Sequence, residues 1–244
     1  CFAQIPGLAE YGFPESHAQS FGRLVYVSAW LKCHHPAIFT CALLNSQPMG
    51  FYAPAQLVRD ARDHRVEVRA IDVNHSHWDC TMERRADGAL ALRLGFRMIS
   101  GFRQSWADDL VAARGQAFVH MEDLARRAHL PSQALNLLAE ADAFTSLGLD
   151  RRPALWDARR MSQGVLPLFE AADAQQLGHE APAALPAMPE AEEVITDYQT
   201  TRLSLRGHPL EHLRQAFEAE GLLTCKGAEQ ARNGHIIRTA GVVL

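Results

Sequence analysis

The sequence predicts a mainly α-helical fold with minor β-structure, and three observations support this. Apolar residues recur at helical spacing through residues 14–46, a run that one proline divides into two helices. Residues 97–148 contain three short helical patterns, each preceded by a turn signal. Three places favour strands, namely the alternating run at 66–70, a hairpin turning at Asp87-Gly88 and the last residues, 236–244, and they account for the minor β-structure.

Proline and glycine set the expected helix boundaries. Pro54 predicts a helix at 55–64, because proline is favoured in the first helical turn. An amphipathic pattern predicts another helix at 208–221. The three short helices are expected at residues 105–114, 121–128 and 132–141. Helices this short are marginal when isolated, so we expect them to pack on one another.

Residues 170–200 have the composition of a linker. They include seven acidic residues and no Lys or Arg, and Ala and Pro are frequent. Such a segment is expected to build no core. The last residues, 236–244, read as a first strand without its partners, and the chain begins with Cys rather than Met. We therefore expect the chain to be a piece of a longer protein.

Composition excludes several classes. The formal net charge of -4 argues against a globally basic nucleic-acid binder, although 22 of the 24 basic residues are arginine. No apolar run is long enough to span a bilayer, and the N-terminus does not resemble a signal peptide. The five cysteines form no C-x-x-C pair and are odd in number. We expect a cytoplasmic protein without a membrane partner or a metal site in this chain.

The segment from Tyr11 to His17 is the first candidate site. A glycine turn precedes a helix start that carries Ser16 and His17 in its first turn. Free N–H groups at a helix N-terminus favour anions, so these side chains could hold a phosphate. A capping region with a surface histidine is the alternative, and the pattern alone favours it.

The segment from Ile99 to Arg103 is the second candidate. A helical pattern, a glycine turn and a further helix are typical of a helix-hairpin-helix element, whose hairpin N–H groups bind a duplex phosphate independently of base identity. The candidate DNA-binding residues are Arg97, Ser100, Gly101, Phe102 and Arg103. A weaker second copy surrounds residues 138–144. Since Arg and acidic residues are nearly balanced from 97 to 160, a plain helical packing module remains the alternative.

A third candidate is a short apolar word next to the acidic segment. Sliding-clamp grooves accept a glutamine followed by apolar anchors and a phenylalanine on an extended segment. The matching residues are Gln163, Leu166, Leu168 and Phe169. Chance occurrence is the alternative, because short apolar words are common.

Several longer sequence segments resemble one protein family. They are Phe13–Ala18, Tyr26–Lys32, Leu43–Tyr52, Asp72–Cys80 and Leu203–Leu210. In this order they resemble the bacterial C-family DNA polymerases, the family of the DNA polymerase III alpha subunit. Replicative members usually carry Asn-Lys where this chain has Pro14-Glu15, so the resemblance is to the error-prone, ImuC-type branch.

The resemblance implies a domain order. Residues 1–96 would be the C-terminal part of the fingers, and 97–148 the tandem helix-hairpin-helix module. Residues 149–200 would be a linker with the clamp-binding word, and 201–244 would lead into an OB-fold. The first strand of that OB-fold would begin at Arg238.

The resemblance also implies function. The parent protein would add deoxynucleotides to a primer on damaged DNA, with Mg²⁺ held by palm aspartates that lie outside this chain. This piece would need no cofactor itself and would be inactive alone. Tyr11, Ser16 and His17 would face the nucleotide. The partners would be primer-template DNA, a deoxynucleoside triphosphate, the sliding clamp and mutasome proteins. A non-enzymatic helix-hairpin-helix DNA-binding or scaffold protein is the alternative.

Overall fold

The computed structural model describes residues 15–50, 52–162 and 185–241, with the side chains of 15–17 and 162 excepted. It is mainly helical with one small sheet, as predicted. The chain divides into two compact units. The first contains the residues up to Arg69 together with Cys80–Arg93, and the second contains Ala70–Asp79 and the residues from Leu94 onward.

Helices α1 (Glu15–His34), α2 (Pro36–Asn45) and α3 (Pro54–Asp63) begin the first unit. The break at His35 follows from Pro36, which has no N–H and begins α2. The predicted division of residues 14–46 is confirmed. The apolar stripe of α1 nevertheless stays exposed within the described residues, since Leu24 and Val25 keep 62% and 65% of their surface.

A three-stranded sheet completes the first unit. Its strands are β1 (Val68–Arg69), β2 (Thr81–Arg84) and β3 (Leu90–Arg93), in the order β1-β3-β2. The hairpin at Asp87-Gly88 is confirmed, with Gly88 at a φ of 81° and β2 antiparallel to β3. The second strand of the hairpin, β3, ends at Arg93, and Phe96 begins a 3₁₀ turn soon after it. The side chain of Asn45, at the end of α2, hydrogen-bonds both backbone groups of Cys80, the residue before β2. It accepts the Cys80 N–H at 2.8 Å and donates to the Cys80 carbonyl at 2.9 Å.

Glu83 in β2 lies between two arginines. Its carboxylate accepts from Arg93 Nε at 2.6 Å and from Arg69 Nη1 at 2.5 Å, on strands β3 and β1. These two partners, Arg93 foremost, lower the pKa of Glu83 to about 2. The three strands are therefore linked across one face by a charged hydrogen-bond network as well as by the backbone ladder.

Acid should weaken the first unit through Glu83. A carboxyl whose pKa is lower in the folded than in the unfolded state stabilises the fold above its ordinary pKa. This contribution is lost as the pH falls from about 4.5 towards 2. Glu83→Gln should destabilise the protein by about 1–2 kcal/mol at pH 7, and the difference from wild type should shrink at pH 3. Urea midpoints at both pH values measure this, and a difference independent of pH would contradict it.

The second unit contains the other helices of the described residues. They are α4 (Gln104–Ala113), α5 (Met121–Arg127), α6 (Ser132–Glu140), α7 (Arg151–Ser162), α8 (Glu190–Thr201), α9 (Arg214–Ala219) and α10 (Cys225–Glu229). Short 3₁₀ turns occupy Phe96–Met98 and Thr145–Leu147. The predictions for α4, α5 and α6 are confirmed to within one residue at each end. Their apolar faces meet in a core that includes Phe96, Leu110, Phe118, Leu124 and Phe144, all almost fully buried.

The expectation that residues 170–200 build no core was wrong for α8. Val194 in this helix is fully buried, and Asp197 and Thr200 are only 8% and 5% exposed. The acidic composition was misleading, because acidic residues of α8 pair with arginines within the second unit. Of the segment predicted as a linker, 151–162 and 190–201 are helical, whereas residues 163–184 lie outside the described part.

The C-terminal segment differs from the expectation in two places. The helix predicted at 208–221 is shorter, with α9 spanning only Arg214–Ala219. Of the strand expected from Arg238 onward, residues up to 241 are described, and a single parallel bridge joins Thr239 to Leu223. Residues 242–244 lie outside the described part. Across the described residues, no helix is both long and apolar enough to cross a membrane.

Candidate nucleic-acid interface

The hairpin between the 3₁₀ turn Phe96–Met98 and α4 is a tight turn centred on Ser100 and Gly101. The Phe102 N–H donates to the Ile99 carbonyl at 3.2 Å, and Gly101 has a φ of 80°. A positive φ at the third position defines a type II turn and favours glycine. Ile99 and Phe102 are 2% and 6% exposed, so both ends of the turn are anchored in the core while its tip faces solvent.

Three backbone N–H groups of the hairpin have different surroundings. The Ser100 N–H donates to the Thr200 carbonyl at the end of α8, at 2.8 Å. Within the residues that the structure describes, the N–H groups of Gly101 and Arg103 have no acceptor. Arg103 is the N-cap of α4, where unpaired N–H groups and the helix dipole favour an anion. The hairpin therefore presents donors to solvent beside a helix N-terminus.

The buried side of the hairpin packs through aromatic side chains. Phe102 packs against Phe96 with ring centroids 5.6 Å apart and meets Trp106 edge-on at 5.4 Å. The guanidinium of Arg103 lies over the Trp106 ring, 4.9 Å from its centroid. This cation–π contact orients Arg103 next to the exposed donors. The aromatic anchors leave the hairpin little freedom to change shape.

Arg97 lies just before the hairpin in the chain and forms an ion pair. Its Nη1 is 2.6 Å from Asp79 Oδ1, and its backbone N–H donates to the Trp78 carbonyl at 3.0 Å. The ion pair balances the charge that the sequence suggested for phosphate binding. Among the five predicted DNA-binding residues, the structure thus brings Gly101 and Arg103 to the exposed tip. It places Phe102 in the core, engages the Ser100 N–H with α8 and pairs Arg97 with Asp79.

Side chains of the loop at residues 72–76 hold distant segments of the second unit together by hydrogen bonds. Asn74 brackets Phe118, accepting its N–H at 2.8 Å and donating to its carbonyl at 3.0 Å. Asp72 accepts the Ser146 N–H at 3.0 Å, and the Ser76 hydroxyl donates to the Leu94 carbonyl at 2.7 Å. Side chains of this loop satisfy backbone groups of segments distant in sequence. Their role is structural, and sequence reasoning missed it, because its partners are backbone atoms with no sequence signature.

The residues at which a weaker second hairpin copy was predicted, 138–144, include a turn between α6 and the 3₁₀ turn Thr145–Leu147. The Ala143 N–H donates to the Leu138 carbonyl at 3.0 Å, and Asp142 has a φ of 56°. This left-handed conformation is unfavourable for most non-glycine residues. The Asp142 carboxylate accepts from Arg206 at 2.5 Å.

Arg206 belongs to a buried cluster of charges. The Arg151 side chain is fully buried and contacts Glu193 Oε2 at 2.5 Å and the carboxylate of Asp197. Arg206 lies 3.3 Å from Asp197 and 3.4 Å from Glu193. Burial raises the pKa of Glu193, although both arginines oppose this. The cluster joins α7, α8 and the segment after α8. Because Arg151 and its acidic partners lie far apart in the sequence, these ion pairs could not be recognised from the sequence.

The remaining predicted site residues cannot be placed in a common site. Ser16 and His17 lie in the first turn of α1, as predicted, but their side chains are outside the described part, as is Tyr11. The clamp-binding word from Gln163 to Phe169 also lies outside it. Within residues 15–50, 52–162 and 185–241, no three His, Cys, Asp or Glu side chains form a group that could hold a metal ion.

Comparison with known proteins agrees with the hairpin geometry. Residues 65–154 match a family described as a helix-hairpin-helix motif. The chain is 56% identical over all its 244 residues to the error-prone DNA polymerase of Brucella abortus, of which it covers 23%. It is 56% identical over its whole length to that of Rhodopseudomonas palustris, covering 22%. Over 89% of the chain it is 60% identical to that of Ruegeria pomeroyi, covering 20%. The chain thus spans less than a quarter of these curated relatives.

Proposed function

We propose that this chain is part of an error-prone DNA polymerase and that its hairpin binds the DNA backbone. The supporting observation is the identity of 56% along the whole chain to proteins of that name. The site chemistry supports the binding mode. Two exposed N–H donors at a helix N-terminus suit a phosphate oxygen and carry no base information. The parent activity would be template-directed nucleotidyl transfer across damaged DNA.

The parent protein is proposed to belong to the ImuC-type branch of the C-family polymerases. Pro14-Glu15, in place of the Asn-Lys usual in replicative members, supports this finer assignment. The Mg²⁺-binding aspartates would lie in a palm outside this chain, so the chain alone would not polymerise. A primer-extension assay of the longer protein on lesion-containing templates tests the activity. Failure to extend any primer with Mg²⁺ present would reject it.

Two further contacts are proposed from the same resemblance. Tyr11, Ser16 and His17 would face the incoming nucleotide. Gln163, Leu166, Leu168 and Phe169 would contact the sliding clamp, and mutasome proteins would be additional partners. Clamp pull-down with the Leu168→Ala/Phe169→Ala variant of the intact chain tests the clamp contact, which would be rejected by unchanged binding.

Arg103→Ala should weaken binding to duplex and primer-template DNA. Loss of one phosphate contact should reduce the slope of log K against log salt by about one. We expect Kd to rise by about 5- to 10-fold at 0.1 M salt, equally for unrelated sequences. Fluorescence anisotropy across a salt series with the intact chain measures both quantities.

Arg126→Ala is the matched control. The Arg126 side chain is 80% exposed, lies on α5 rather than at the hairpin, and pairs with Asp123 at 3.0 Å. Its removal changes the net charge by the same amount. Equal losses for the two variants would mean that the hairpin does not contact phosphate and that binding follows net charge alone.

A further inference from the structure

We propose that the C-terminal end of α8 is a positioning element for the phosphate-binding hairpin, acting through the hydrogen bond between Ser100 and Thr200. This inference rests on the proposed DNA-backbone binding and extends it to a helix outside the hairpin. Its consequence is that the Ser100 N–H binds within the protein, whereas the N–H groups of Gly101 and Arg103 bind the DNA phosphate.

The hydrogen bond uses a carbonyl that the helix itself leaves unpaired. The last carbonyls of an α-helix have no intrahelical partner. Thr200 is the penultimate residue of α8, and its carbonyl accepts the Ser100 N–H at 2.8 Å. Thr200 is only 5% exposed, so water competes little for this carbonyl. The bond therefore satisfies two backbone groups and fixes the turn relative to α8.

The two sides of the hairpin differ in charge. On the Ser100 side lies an open cavity of about 330 Å³. It is lined by α6, α7 and α8, and by the hairpin at Ser100, and it includes the carboxylates Glu140 and Glu192. The negative end of the α8 dipole also lies here. Since Glu192 pairs with Arg152 of α7, the Glu140 carboxylate and this helix end make the Ser100 side less favourable for phosphate than the side with the exposed donors of Gly101 and Arg103.

The buried charge cluster holds α8 in the place that this hydrogen bond requires. Glu193 and Asp197 lie on the same helix, two turns and one turn before Thr200 respectively, and both contact the fully buried Arg151 of α7. The Thr201 hydroxyl oxygen lies 2.9 Å from both the Asp197 and the Leu203 carbonyl oxygens, so its single proton donates to one of them at a time and ties the end of α8 to the following segment. The hairpin, α8 and the cluster thus form one connected network within the second unit.

Ser100→Pro removes the N–H while keeping the turn. Proline is common at the second position of a type II turn. The preceding residue must be extended, and Ile99 has a φ of -79° and a ψ of 119°. Ser100→Ala is the matched control, because it deletes the same hydroxyl and retains the N–H. Proline also places its Cδ where the N–H pointed, towards the Thr200 carbonyl that lies 2.8 Å from the Ser100 nitrogen, so the ratio of the two Kd values reports loss of the whole contact with α8.

We expect Ser100→Pro to bind primer-template DNA at least about 3- to 10-fold more weakly than Ser100→Ala, because the loss of one shielded hydrogen bond sets the lower limit of the effect. Amide NMR of the intact wild-type chain gives a second readout. The Ser100 N–H should be protected from hydrogen exchange without DNA, whereas those of Gly101 and Arg103 should gain protection only when DNA is added.

Two results would overturn the inference. They are equal DNA affinity of the two Ser100 variants, and rapid exchange of the wild-type Ser100 N–H. Arg103→Ala measured alongside separates the two proposals. If Arg103→Ala weakens binding and the Ser100 variants do not differ, only the positioning role fails. If Arg103→Ala behaves like Arg126→Ala, the proposed DNA contact itself fails.

Discussion

Arg151→Ala is expected to lower the free energy of unfolding by about 3–5 kcal/mol, the usual effect of removing one partner of a buried ion pair. The Arg151 side chain is completely buried, and its partners Glu193 and Asp197 are 13% and 11% exposed at their side chains. Without Arg151, two carboxylates would remain in a poorly solvated site. Arg206 would neutralise part of this charge, which favours the lower end of the range.

Chemical denaturation at pH 7 measures the effect, with Arg152→Ala as control. Arg152 is the next residue of α7 and pairs with Glu192 at 2.9 Å, but the two side chains are 28% and 51% exposed. Exposed pairs contribute about 0–1 kcal/mol. The same small loss in both variants would show that burial of the Arg151 cluster carries no special stabilisation.

Gly95→Ala is expected to destabilise the protein by about 2–4 kcal/mol, because the backbone leaves no room for a methyl group. A Cβ at Gly95 would lie 2.4 Å from the Trp78 carbonyl oxygen and 2.4 Å from the Asp79 carbonyl carbon. Backbone atoms cannot rotate away as a side chain can. Hydrogen bonds on both sides of the contact, Phe96 to His77 and Arg97 to Trp78, hold the two segments together.

Gly115→Ala separates this steric effect from the general difference between glycine and alanine. Gly115 is exposed, and a Cβ there would meet nothing within 4 Å. Its substitution should change the unfolding free energy by less than about 1 kcal/mol. A mild effect of Gly95→Ala in the same thermal or urea unfolding experiment would mean that the two segments separate easily.

Local signals predicted most of the fold. Pro36 and Pro54 begin the helices that they were expected to begin, and Asp87-Gly88 turns the hairpin, since each acts through its own backbone geometry. The helix α8 escaped prediction because its stability comes from partners far along the chain. Its acidic residues look solvated in sequence, and only the fold brings Arg151 to them.

The candidate site was predicted in part. The glycine word at 99–103 marked the turn correctly, because a type II turn at Gly101 requires a positive φ. Which of its donors are exposed could not be predicted, since that depends on the Thr200 carbonyl about a hundred residues later. The buried spacing of Val194, Asp197 and Thr201 was a usable signal, because it follows one face of a helix.

The distance in sequence between Arg151 and its partners also fixes an order of events during synthesis. Asp197 follows Arg151 by 46 residues. At about 5–20 residues per second, the ribosome needs several seconds to add them. During that interval α7 has already been synthesised, but the acidic residues of α8 that pair with Arg151 in the folded protein have not. The module should therefore reach its final form only after α8 emerges, and slow codons between the two helices should prolong its exposure to proteases.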